Sequence, residues 1–181
     1  LQIRFLGGVR ITRGPVIVPV PTPQRTALLA YLLTFGDRLH ARRLLAGLFW
    51  GEKSDAAALH NLSDALFQLR AELEPGVKDR SQSIIASPPT SMGLNPQARV
   101  WIDVQEFLRL TGPDATLEQQ IEALDLYQGD FLPGFYYDWV LLERERIAAR
   151  YRETLTKLRT HYQNSGDLDQ ALEMGRRLVA S

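Results

Sequence analysis

The chain has three histidines and no cysteine. None of the three, His40, His60 or His161, has a second His or Cys at metal-ligand spacing. Gly7-Gly8 lacks the further glycines and the strand-to-helix setting of a dinucleotide loop, and no Gly-Lys-Ser or Gly-Lys-Thr phosphate loop occurs. Glu143-Arg144-Glu145-Arg146 reads as the solvated face of a helix, not as an acid–base pair. The sequence therefore predicts no enzyme, no bound metal and no cofactor. What its residue types do offer is hydrogen bonding and ion pairing along one helical stretch. Between Ala58 and Leu73, the residues His60, Asn61, Asp64, Phe67 and Gln68 lie away from a leucine seam. Such groups fit base edges in a DNA major groove. An amide grips adenine at N6 and N7, a carboxylate accepts from cytosine N4, and an aromatic ring touches a thymine methyl. Arg42 and Arg43, at the start of the preceding helix, fit phosphates, because side chain and helix dipole both favour an anion. Arg25, Arg38 and Arg70 are further phosphate candidates.

For those side chains to face a duplex, the helix must be held by its other side. Leu62, Leu66, Leu69 and Leu73 recur at helical spacing, with Ala65 on the flank, and predict one buried face. Ser54 or Asp55 caps this third helix and Pro75-Gly76 ends it. Two shorter helices precede it. The first opens at Thr22 or Pro23, turns Leu28, Leu29, Tyr31, Leu32 and Leu33 inward, and ends with Gly36 as a cap. The second runs from about Ala41 to Phe49 with Leu44, Leu45, Leu48 and Phe49 inward.

Ahead of the helices, residues 1–5, 9–13 and 16–18 read as strands of a small antiparallel sheet. Gly7-Gly8 and Gly14-Pro15 make its turns, and Pro19, Pro21 and Pro23 end it. After the third helix, residues 83–87 and 91–94 flank the turn Pro88-Pro89-Thr90 as a hairpin. Three helices, the third amphipathic, followed by a hairpin is the layout of a winged helix-turn-helix, whose third helix enters the major groove. Trp50, Trp101 and Trp139 read as packing residues, not stacking platforms.

At 181 residues the chain accommodates two domains more comfortably than one. Its hydrophobic 45% and charged 23% are ordinary for globular protein. No apolar run approaches the length of a membrane span and no signal peptide opens the chain, so a cytoplasmic protein without a membrane partner is expected. The lack of cysteine is compatible with a reducing compartment. Leu1 in place of Met reads as a processed or trimmed start. A net charge of zero hides a split along the chain. Residues 1–103 carry 12 Lys and Arg against 8 Asp and Glu, whereas residues 104–181 carry 9 against 13. A first half that attracts polyanions and a second that repels them fits a DNA-binding head joined to a partner-facing domain.

That second half reads as helical. Val100-Trp101-Ile102 leads into Asp103, which caps a helix to about Leu110, and Thr111-Gly112-Pro113-Asp114 is linker-like. Thr116 and Gln119 form a capping box for a helix over residues 117–127. Residues 129–135 form an apolar loop expected to be packed. A long helix over 138–165 carries the stripe Tyr151, Leu155, Leu158 and Tyr162, and Gly166-Asp167 turns the chain into a last helix holding Ala171, Leu172 and Leu178. Tyr162 and Ala171 around a Gly-Asp turn fit one tetratricopeptide-like pair. One unit leaves its outer face incompletely buried, so more repeats are expected beyond Ser181. The fold expected is an α+β N-terminal winged helix-turn-helix over residues 1–103, followed by a truncated all-α tetratricopeptide-like domain over 104–181.

Several pieces in this order resemble the Streptomyces antibiotic regulatory protein family of bacterial transcriptional activators. In the first half these are residues 6–11 (Leu-Gly-Gly-Val-Arg-Ile), 25–32, and Leu45-Ala46-Gly47-Leu48-Phe49-Trp50, then Asn61-Leu62 through Leu69-Arg70 and Val100-Trp101-Ile102-Asp103-Val104. Residues 126–134 and 138–146 carry the likeness through the second half. The resemblance implies an OmpR/PhoB-type winged helix followed by a bacterial transcriptional activation domain of tetratricopeptide-like helices. It implies double-stranded DNA as a partner, RNA polymerase or another protein held through the helical domain, and a homodimer.

The departures from the family are specific. Its members commonly carry several arginines on the recognition helix and a basic wing. Here the outward face presents His60, Asp64, Phe67, Gln68 and Ala71, and the Pro88-Pro89-Thr90 turn is uncharged. Because phosphate contacts by Lys and Arg supply most non-specific affinity, weak DNA binding as a monomer is expected. Those departures leave a second expectation open: a protein-interaction or dimerisation module whose degenerate winged helix binds DNA weakly or not at all.

Overall fold

The alternating N-terminal segments form β1 (Gln2–Arg4), β2 (Arg10–Arg13) and β3 (Val16–Val18). In the computed structural model, which describes residues 1–77 and 79–181, these strands belong to a four-stranded sheet of order β3-β2-β1-β7. β2 and β3 pair antiparallel, with Ile11 opposite Val18. The fourth strand, β7 (Trp101–Ile102), pairs parallel to β1 with Ile3 opposite Ile102, a partner that so short a segment does not announce in sequence. A parallel pair needs a long crossover, and here the crossover is the whole helical head and its hairpin.

Two units divide the chain: residues 1–3 with 10–102, and residues 4–9 with 103–181. The first unit is built around α1 (Pro23–Thr34), which starts with Pro at its first turn and buries every residue from Thr26 to Leu33 except Tyr31. α2 (Arg42–Trp50) follows the two-residue strand β4 (His40–Ala41). Its buried side is Leu45, Ala46, Phe49 and Trp50, while Leu44 and Leu48 stay 53% and 38% exposed. The inward face is therefore rotated from the expected one. Two apolar stripes lie side by side on this helix, and the one carrying the indole packs: Trp50 lies 6.0 Å from Phe49, which lies edge-on to Tyr31 of α1.

α3 (Asp55–Leu73) is capped by the Ser54 hydroxyl, which accepts from the Ala57 amide at 3.5 Å. It buries Ala58, Leu62, Ala65, Leu66, Leu69 and Leu73, the expected seam extended by one turn towards its start. At the same roughly 25 cal/mol per Å² as any apolar burial, such a seam fixes the helix by one side and leaves the other side free. Beyond it, β5 (Ile85–Ala86) and β6 (Ser91–Leu94) form the expected hairpin, with Ile85 opposite Leu94. β6 also pairs with β4, His40 opposite Met92, so the hairpin is one side of a three-stranded sheet of order β4-β6-β5. Gly93 is required there, since a Cβ at that position would meet the Arg38 carbonyl oxygen at 2.8 Å.

In the second unit, α4 (Asp103–Leu110), α5 (Leu117–Leu126), α6 (Asp138–Ser165) and α7 (Leu168–Val179) pack around the strap Arg4–Val9. Asp103, expected to cap α4, is its first residue and turns its side chain back towards the strap. Its buried carboxylate accepts from the amides of Phe5 (2.9 Å), Leu6 (2.9 Å) and Val104 (2.8 Å). The strap also pairs with the loop before α6: the Gly7 amide donates to the Asp130 carbonyl and the Leu132 amide to the Phe5 carbonyl, both at 2.9 Å. Gly7 has a positive φ of 78° and lies so close to Gln128 that a Cβ would sit 2.6 Å from its carbonyl oxygen.

The loop of residues 129–135 is packed, with Phe131 and Leu132 fully buried. Arg144, expected on a solvated helix face, instead donates to the carbonyls of Phe131, Leu132 and Phe135 at 2.8, 2.6 and 3.0 Å. That clamp holds Leu132 at a positive φ of 46°, which an L side chain otherwise avoids. The Thr116–Gln119 capping box forms on α5. Gly166 ends α6 in the left-handed conformation and Asp167 caps α7, so the helical pair has the expected turn. Among the described residues no helix is long and apolar enough to cross a membrane.

Candidate nucleic-acid interface

The outward face of α3 follows from its seam. With Leu62, Leu66 and Leu69 buried, the helical period leaves His60, Asp64, Phe67, Gln68 and Ala71 exposed, and Asn61 half-buried. Phe67 is 66% exposed. Its ring stands among the polar side chains of His60, Asp64 and Gln68 on this face. His60 Nε2 lies 3.4 Å from the Asp64 carboxylate, one turn on, with both side chains largely in solvent. That pair is screened and marginal as a source of stability, but it holds the imidazole and the carboxylate at adjacent positions along the face.

Beside the first half of α3, the start of α2 and the hairpin turn form an open groove of about 570 Å³ lined by Arg42, Arg43, Leu59, Ser63, Pro89 and Thr90. The structure thus brings Arg42 and Arg43 to the flank of α3, beside the turn. Arg43 is exposed. Arg42 is half-buried and already has acceptors: its guanidinium donates to Ser63 Oγ of α3 at 2.8 Å and to Ser87 Oγ at 3.1 Å. Its backbone amide donates to the Thr90 carbonyl at 2.9 Å, joining the start of α2 to the end of the hairpin turn.

The other arginines divide in the same way. Arg38 is exposed just before β4. Arg70 Nη2 donates to the Ile85 carbonyl at 2.8 Å and its Nε to Ser83 Oγ at 3.2 Å. Arg25 pairs with Glu72 at 2.6 Å, joining α1 to the last turn of α3. The acceptors Ser63, Ser83, Ser87 and Glu72 are not evident from the sequence. The spacing of Ser83, Ile85 and Ser87, every second residue of an extended segment, was the one available sign that they share a strand face. Lys53, in the turn between α2 and α3 and outside the sequence-predicted set, is exposed and lines a second crevice with Arg43.

Chemically the face offers amide, imidazole and carboxylate groups for base edges, a ring for a methyl group, and exposed cations on one flank. Among the described residues it carries no continuous basic stripe.

No protein-family model matches the chain. It is 29% identical over 173 residues to the regulatory protein AfsR of Streptomyces coelicolor, an alignment that covers 94% of this chain and 17% of that protein. The chain thus spans about a sixth of the length of that relative. Among solved structures it is similar to Mycobacterium tuberculosis EmbR in complex with a low-affinity phosphopeptide. That likeness has a TM-score of 0.55 at 17% identity and covers 98% of this chain and 58% of that one; it is a likeness of fold. The likeness in sequence is thus to a protein named as a regulator, and the likeness in structure is one of fold.

Proposed function

We propose that this chain, similar in sequence and fold to such regulators, is the DNA-binding portion of a bacterial transcriptional regulator that places α3 in the major groove. The observation that carries the reading is the sidedness of α3: its leucine seam is buried, while His60, Asp64, Phe67 and Gln68 remain exposed beside the hairpin. In this reading His60, Asn61, Asp64, Phe67 and Gln68 read bases, and Arg43 and Arg38 meet phosphates with Lys53 as an added contact. The helical unit serves either dimerisation or contact with RNA polymerase or another protein, and the protein works in the cytoplasm as an activator. It is a regulator and not an enzyme, as the similarity to a regulatory protein supports.

An anisotropy titration of the chain against duplex DNA over a series of salt concentrations tests the reading. Binding that weakens linearly with log salt, with a slope lowered by about one in Arg43→Ala, is expected. A folded chain that binds no duplex at any salt contradicts it.

The second reading, a protein-binding winged helix, has the exposed ring of Phe67 and the carboxylate of Asp64 in its favour. It predicts that Phe67→Ala abolishes self-association and leaves DNA titrations unchanged.

A further inference from the structure

We propose that Arg42 and Arg70 are positioning residues: together they fasten the first strand of the wing to α3, leaving Arg43 and Arg38 to meet the phosphates. The proposal rests on the DNA-binding reading for its consequence, though not for its geometry. Arg70 stands on α3 and reaches Ser83 Oγ and the Ile85 carbonyl; Arg42 stands at the start of α2 and reaches Ser87 Oγ. The two guanidiniums therefore hold the segment around β5 at both ends, at every second residue from 83 to 87. Arg42 closes the fastening onto α3 as well, through Ser63 Oγ at 2.8 Å, and onto the far side of the wing turn through its own amide and the Thr90 carbonyl.

A third tie lies beneath. The Ser83 hydroxyl donates to the buried Glu74 carboxylate, 2.6 Å to its nearer oxygen, and that carboxylate also accepts from the Ile84 amide at 2.6 Å. Asn95, after β6, donates to the Ser81 and Ser83 carbonyls, both at 2.7 Å. A guanidinium is a rigid fork of five N–H groups, and one shared between two hydroxyls on separate elements fixes their spacing in a way a single ammonium does not. The wing turn itself carries Pro88, Pro89 and Thr90 and no charge, so its contribution to binding is where it stands. Fastening it to α3 sets that place before DNA arrives.

The first arm of the test needs no DNA. Hydrogen exchange of the wing amides, Ile85, Ala86 and Met92 to Leu94, is followed in the intact chain and in variants. Arg42→Ala, and the milder pair Ser63→Ala with Ser87→Ala, are expected to speed exchange there by about tenfold while the α1 amides keep their rates. Arg42→Lys, which keeps the charge and loses the fork, is expected to behave like the alanine variant.

The second arm uses a duplex selected from a random library and a scrambled duplex of the same composition. Arg42→Ala is expected to keep the salt slope and lose about tenfold of the preference for the selected duplex, while Arg43→Ala lowers the slope by about one on both. Wing exchange unchanged in Arg42→Ala, or a slope lowered by about one together with rescue by Arg42→Lys, overturns the proposal and returns Arg42 to the phosphates. Failure of the unaltered chain to bind either duplex counts against the DNA reading, and the exchange arm then decides the fastening by itself.

Discussion

Asp64 is the residue least at home on a face that meets DNA. Its carboxylate is largely in solvent, one turn from His60, and it brings negative charge to the face proposed to meet a polyanion. Asp64→Asn keeps the acceptor and removes the charge. Tighter binding of scrambled duplex is therefore expected, on the order of two- to fivefold at low salt, with the gain fading as salt shortens the Debye length. Anisotropy at two salt concentrations measures it, and unchanged or weaker binding at low salt places Asp64 away from the duplex.

At this scale the sequence was legible for exposure and illegible for partners. The helical period alone placed His60, Asp64, Phe67 and Gln68 outward. It had no means of showing that Arg25, Arg42 and Arg70 hold internal acceptors, because Glu72, Ser87 and Ser83 come near only once separate elements have packed. Arg144 was misread for the same reason. Its charged neighbours Glu143 and Arg146 do form a surface pair at 2.7 Å, while Arg144 itself turns inward to loop carbonyls.

Among the elements, helices with one apolar stripe and clear caps were readable. α3 and α5 begin where Ser54 and Thr116 predict, and α6 ends at the Gly166 that the sequence marks as a turn. α2 was not, because apolar residues lie on two adjacent stripes and burial of Trp50 selects between them. The strap Arg4–Val9 was read as the end of one strand and the start of another, since nothing local marks Phe5 and Leu6 as belonging with residues a hundred positions away.

Asp103 ties that strap. Removing its carboxylate leaves three buried amides without an acceptor, so Asp103→Ala is expected to cost roughly 3 kcal/mol in chemical denaturation, and Asp103→Asn less. A loss below about 0.5 kcal/mol contradicts the role given to it. Its pH dependence has a definite sign. Burial raises the carboxyl above the ordinary carboxylate value, and it outweighs the donated amides of Leu6, Phe5 and Val104 and the nearby Arg4 charge. The native chain then holds this proton more readily than the unfolded one. Asp103's contribution is full at low pH and falls as pH rises through the raised native value. Asp103→Asn flattens that part of the stability curve.

Over the whole molecule, the charge split found in sequence coincides with a change of architecture. The half with excess cations is the sheet and three-helix head with its hairpin, and the half with excess anions is helical. On the DNA-binding reading, the cations of the first half attract a duplex and the acids of the second repel it, so weak, salt-sensitive binding by a single copy is expected. The order of pieces along the chain was enough to suggest the kind of regulator it resembles, because hairpin, caps and seams are local patterns. The pairing of β1 with β7 is not local, and it became visible only in three dimensions.

In the proposed function the outer side of α3 lies against DNA, and the absence of cysteine from the sequence makes a direct test clean. A single Cys replaces the exposed Ala71 on α3, and in a second protein the exposed Thr160 on α6; each carries a tethered iron chelate that cleaves nearby backbone. Localised cleavage of the selected duplex from position 71, and little from position 160, is expected. Cleavage from position 160 alone, or from neither position while the duplex is bound, contradicts it.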